Sequence, residues 1–130
     1  MTLAGCSGGT EPQDPAERPE IVTKAGVTAL VDTRTDSGMD AEVVGELVVG
    51  PGDCLALDDG LVVRPVIWPE GSTLADDGQA IEIGRDGPTV RIGEYVEGGG
   101  GEIDPGDATY TEIPESCLPE EGVAVALTSW

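Results

Sequence analysis

The chain has no histidine and no phenylalanine, and its 130 residues carry only 6 Lys+Arg against 26 Asp+Glu. Without histidine the usual general base and commonest metal ligand are missing. Ser–His–Asp and Cys–His nucleophiles are thereby excluded. The shortage of basic residues leaves a formal net charge of −20, and nucleic-acid binding rests on Lys and Arg neutralising phosphate; no nucleic-acid partner is expected. The same surface repels anionic headgroups, so membrane attachment must come from something other than surface basicity. Only Trp68, Trp130, Tyr95 and Tyr110 are aromatic. The core must therefore be made of Val, Ile, Leu and Ala, which favours strands, where branched side chains fit a pleated surface. Twenty Gly and ten Pro imply many turns, and no apolar stripe of helical period runs beyond about two turns.

Cysteine is scarce as well: Cys6, Cys54 and Cys117 are the three in the chain. No Cys-x-x-Cys occurs, so zinc, haem and redox-motif readings lack their ligands, and neither a metal nor a cofactor is expected. Leu3-Ala4-Gly5-Cys6 matches the lipobox of bacterial lipoprotein signal peptides residue for residue. A small residue ahead of the cysteine lets the signal peptidase reach the peptide bond, and the thiol takes a diacylglycerol. Residues 1–5 then read as the remnant of a truncated signal peptide. A secretory signal needs a basic stretch and about 7–15 apolar residues, so an upstream in-frame start is expected to supply them.

Residues 6–22 read as a lipid-anchored disordered tether, polar and Pro-rich, with too little apolar surface to fold. Residues 23–130 read as one small β-domain. With Cys6 assigned to lipid, Cys54 and Cys117 remain, and outside the cytoplasm two such cysteines are expected to pair. Without the lipid they would read as buried free thiols of a cytosolic protein.

The body reads as short strands spaced about 8–12 residues apart, the pattern of a small, mostly antiparallel barrel or sandwich. The runs are 43–49, 54–57, 61–68, 79–83, 89–97 and 123–128, with 21–32 a looser strand ahead of them. Asp58-Asp59-Gly60 between two apolar runs is a hairpin signal, and Pro65 inside the third run implies a bulge or an edge. Residues 98–101, four glycines, read as a bulge or tight loop, and 103–119 as an acidic loop with one short helical turn. Val43, Leu47, Leu55, Leu57, Val62, Val66, Ile81, Ile83, Val90, Ile92, Val123 and Val125 are expected to fill the interior. The strand order, with one long break before the last, also looks like an oligomer-binding barrel, an analogy that licenses no ligand.

Gly45-Glu46-Leu47, Cys54-Leu55 followed by an Asp-Gly turn, Val66-Ile67-Trp68-Pro69-Glu70-Gly71, Val90-Arg91-Ile92-Gly93 and Pro114-Glu115-Ser116-Cys117 together resemble small lipoproteins of high-GC Gram-positive bacteria, over about residues 42–128. That resemblance implies an exported lipoprotein with a small β-domain, and no particular chemistry.

Other motifs point to turns before sites. Residues 98–101 lack the Gly-Lys-[Ser/Thr] ending of a phosphate loop. A carboxylate pair could hydrolyse glycosides, yet among 26 acids some pair is always close, and no enzyme is expected. Asp53, Asp58-Asp59, Asp76-Asp77, Asp104 and Asp107 sit where Asp-Gly turns belong, without the ligand spacing of a calcium loop. Trp68 is either a core anchor or an exposed ligand contact. The expectation is a binding or accessory module of the cell envelope, held to the membrane through Cys6 and facing outward towards an envelope protein or small ligand. The alternatives are a structural envelope lipoprotein without a discrete ligand, or a weak calcium-binding acidic domain.

Overall fold

The computed structural model describes residues 19–32, 41–103, 113–118 and 124–130. Cys6, the expected signal remnant and residues 6–18 of the expected tether lie outside them, as do Asp104, Asp107 and Val123. Among the described residues there are ten strands, two 3₁₀ turns and no α-helix. The chain is all-β.

β1 (Glu20–Lys24) and β2 (Val27–Val31) form a hairpin. β1 opens ahead of the boundary drawn at residue 23, because Glu20, Ile21 and Val22 pair with Val31, Leu30 and Ala29. The turn between them holds Ala25 at φ 53° and Gly26 at φ 82°, the left-handed pair that matches the twist of a two-residue hairpin. β3 (Ala41–Val49), β4 (Leu55–Asp58), β5 (Val63–Trp68), β9 (Tyr95–Ile103) and β10 (Ala124–Ser129) close into a five-stranded barrel. Its ring runs β5-β10-β9-β3-β4 and back to β5. The β5–β10 contact is parallel and the other four are antiparallel. Numbered within the ring, the order is 1-2-3-5-4 closing on 1, the connectivity of an oligomer-binding barrel. β6 (Thr73–Leu74), β7 (Ala80–Glu82) and β8 (Thr89–Arg91) form a separate three-stranded antiparallel sheet inserted between the third and fourth ring strands.

Alternation explains which side chains go in. Val43 and Leu47 of β3, Leu55 and Leu57 of β4, Val66 and Trp68 of β5, Val96 of β9, and Val125 and Leu127 of β10 share one buried cluster. The small sheet adds Leu74, Ile81, Ile83 and Val90, and β2 adds Val27, Ala29 and Val31. Ile92 packs against this cluster partly buried. Val62 does not join it: its N–H is taken by the Asp59 carboxylate at 3.0 Å, so the chain is still turning and the strand starts one residue later.

β5 and β10 lose the alternation because both their faces are covered. Ile67, Ala124 and Ala126 point into a second cluster with Leu30, Ile103, Cys54 and Cys117. Near-continuous apolar runs are what parallel, doubly covered strands require, and Val66-Ile67-Trp68 and Ala124-Val125-Ala126-Leu127 are such runs. Pro65 sits neither at a bulge nor at a free edge. It ends the pairing with β4, opposite Ala56, and from Ile67 onward β2 takes over that edge, so Pro65 falls where the partner changes.

The four glycines are not a loop. They lie inside β9, with Gly98, Gly99 and Gly100 opposite Val43, Glu42 and Ala41 of β3, and Gly100 and Gly101 opposite Leu127 and Ala126 of β10. A Cβ on Gly100 would overlap the Ala126 carbonyl, and one on Gly98 the Ser129 carbonyl. The register irregularity is instead on the partner strand, between Leu127 and Ser129.

Cys54 and Cys117 are disulfide-bonded, with Cα atoms 5.5 Å apart and a sequence separation of 63. Cys54 follows the 3₁₀ turn Pro51–Asp53, and Cys117 ends the 3₁₀ turn Glu115–Cys117. The bridge ties the link between the first two ring strands to the link ahead of the last. Closing a loop this long contributes about 4 kcal/mol on the chain-entropy account. For a domain with so few large side chains that is a major share of the usual 5–15 kcal/mol.

Candidate functional site

In oligomer-binding barrels ligands lie across the second and third strands, between the loops that flank them. That surface is occupied here by the protein itself. Ala56 and Ile67 have no exposure and Pro65 is equally buried, while the two loops are stapled by the disulfide. The staple is close-fitting: a Cβ on Gly52, whose φ is +67°, would run into the Ser116 carbonyl.

Trp68, read as either core anchor or exposed contact, is fully buried within the barrel cluster. Its Nε1–H has no hydrogen-bond partner, a desolvation cost of about 1–3 kcal/mol set against the large apolar area the ring buries.

Of the concave regions among the described residues, two have a more apolar lining. The first, about 430 Å³, is the mouth of the barrel where β3, β5 and β10 begin and β4 and β9 end; Val43, Leu57 and Val125 form its apolar lining. At its rim Arg64 reaches Asp59 with Nη1 at 3.0 Å and Glu102 with Nη2 at 3.3 Å. Asp59 also accepts the backbone N–H groups of Leu61 at 2.8 Å and Val62 at 3.0 Å. The Val62 and Leu61 donors, and then Arg64, hold its carboxyl below the usual carboxylate range. Asp59 is therefore a turn brace that is charged at neutral pH.

The second region, about 520 Å³, is a groove lined by Ile83, Pro88, Val90 and Val96, with Tyr95 and Trp130 beside them and Glu94 and Glu97 as its charged groups. Tyr95 is 70% exposed and Trp130 51%. The Trp130 indole is laid over two glycines of the turn between β7 and β8. A Cβ on Gly84 would come within 2.5 Å of its Cζ2, and one on Gly87 within 2.5 Å of its Nε1. One side of the ring is thus seated on backbone, and much of the rest meets solvent. None of these groove residues was singled out as a site from sequence. The available signal was two of only four aromatics, one of them within Glu94-Tyr95-Val96-Glu97, but nothing in the sequence places Trp130 beside Tyr95.

At the Asp58-Asp59 and Asp76-Asp77 turns carboxylates cap backbone. Asp58 Oδ1 accepts from Gly60 N at 2.9 Å and Asp77 Oδ1 from Gln79 N at 3.0 Å, the Asx-turn pattern. Among the described residues no three acidic or thiol side chains converge as metal ligands would, and no helix is long and apolar enough to cross a membrane. No protein-family model, no curated protein and no solved structure matches this chain.

Proposed function

We propose that this protein is a lipid-anchored, extracytoplasmic binding module of the cell envelope. Cys6 carries the lipid, the polar residues after it form the tether, and the disulfide-locked barrel is the part presented to partners. The observation that carries the reading is the Cys54–Cys117 bond. Structural disulfides persist in oxidising compartments, and this one leaves Cys6, in its Leu-Ala-Gly-Cys setting, as the single thiol still to be explained. An open groove with an apolar lining and exposed aromatic side chains supports a binding role over a purely structural one, since ligand sites are concave and lined chiefly by apolar and aromatic groups.

The test is to express the native gene, with its own upstream DNA, in a bacterial host fed an alkyne-bearing fatty acid. The expected result is a labelled protein in the membrane fraction. Cys6→Ser should lose both label and membrane association, while Cys54→Ser keeps the label. An unlabelled, cytosolic wild type would overturn the proposal.

A further inference from the structure

We infer that the groove between β8 and β9 is a docking site for a short, extended peptide segment bearing lysine or arginine. This deepens the binding-module half of the reading above and is independent of the lipid anchor.

Three observations converge on that occupant. The first is backbone. Among the described residues β8 is an edge of the small sheet, paired with β7 alone, and β9 meets β10 no earlier than Gly99. Thr89 and Val90 on one wall and Tyr95, Val96 and Glu97 on the other thus belong to strand segments with a side that no described strand pairs. Unpaired strand edges are templates for an added strand, and extended peptides bind by supplying one.

The second is charge. Glu94 and Glu97 are the charged side chains lining the groove. Glu94 also accepts the Arg91 N–H at 2.9 Å, which leaves Glu97 as the freer carboxylate. Arg85 is engaged by Glu70 across a bidentate pair. Arg91 at the end of β8 is exposed and is not among the groove's lining residues, and the chain as a whole carries −20. A cationic segment is drawn to such a groove and an acidic one is repelled.

The third is the aromatic pair. Tyr95 and Trp130 present ring surface beside those carboxylates, and the faces of tyrosine and tryptophan attract ammonium and guanidinium groups. The apolar floor of Ile83, Pro88, Val90 and Val96 accepts the side chains between the cations, since residues alternate along an extended strand. A bare cation would leave that floor and both strand edges unused.

The test uses the full chain carrying Cys6→Ser, so that failure of lipidation cannot be mistaken for failure of docking. The probes are acetylated, amidated Val-Lys-Val-Lys-Val-Lys, its counterpart with Glu for Lys, and spermine as a cation without a backbone. Amide chemical shifts and the fluorescence of Trp130 are the readouts. The lysine peptide should bind saturably and move the amides of Thr89, Val90, Tyr95, Val96 and Glu97. The glutamate peptide should leave them in place, and spermine should leave Thr89 and Val90 in place. Tyr95→Ala should weaken the lysine peptide roughly three- to fivefold, the size of one exposed cation–π contact. Glu97→Gln should flatten the salt dependence of binding. Both substitutions fall on exposed side chains, so the fold survives them. Equal binding of the glutamate peptide, identical shifts with spermine, shifts spread over the acidic turns at Asp58 and Asp76, or wild-type binding by both variants would each overturn the inference.

Discussion

Asp59 illustrates how a single carboxylate is used in this chain. It braces the turn between β4 and β5 through the N–H groups of Leu61 and Val62, and those donors, with Arg64, lower its pKa. A carboxyl whose folded pKa is depressed contributes fully above its unfolded value of about 3.9. That contribution is lost as the pH falls through the lower, folded value. Asp59→Ala should therefore melt below wild type at neutral pH, and the gap should close as the pH drops below about 4. Thermal melts across that range check it. A gap that does not change with pH would mean the turn is held by packing instead of charge.

At the scale of elements, β9 is the strand whose composition looks least like a strand and whose position tolerates least change. Flanked by β3 and β10, its glycines let β10 approach closely, and glycine is here a steric requirement, not a flexible hinge. Gly100→Ala forces a methyl onto the Ala126 carbonyl and should cost about 3 kcal/mol or leave the barrel unfolded. Gly60 is the contrast, with φ at +96° and nothing near its Cβ position, so Gly60→Ala should cost only the left-handed backbone penalty of about 1 kcal/mol. Urea unfolding of the two variants distinguishes them, and equal losses would refute the close-approach account.

The whole molecule is left with an unbalanced electrostatic self-repulsion. Of the 6 basic residues, Lys24, Arg64 and Arg85 already sit in ion pairs with Asp76, Asp59, Glu102 and Glu70. Exposed pairs of that kind contribute little, and the net charge of −20 remains. Raising NaCl from about 0.01 M to 1 M shortens the screening length from about 30 Å to 3 Å. The melting temperature should rise steadily across that range by about 5 °C, equivalent to about 1 kcal/mol for a domain of this size. A fall on adding salt would instead make the ion pairs the leading electrostatic effect.

The sequence by itself determined the strand class, most of the barrel interior and the partners of the disulfide. These follow from local, countable facts: branched apolar residues in alternation between Asp, Gly and Pro turns, and two cysteines left once Cys6 was set aside. Tertiary structure alone decided the rest. Whether 98–101 is a loop or a central strand depends on β3 and β10 pairing with it on either side, with β10 too close to admit a Cβ at Gly98 or Gly100, which no local propensity encodes. That the 20–31 hairpin joins the sheet depends on β2 finding the end of β5 at Ile67 and Trp68. The groove needed three distant pieces at once, with Trp130 carried by β10 onto Gly84 and Gly87 beside the start of β9. Residues far apart in sequence become neighbours only when the ring closes, because closure fixes where each strand ends and therefore what the next side chain meets.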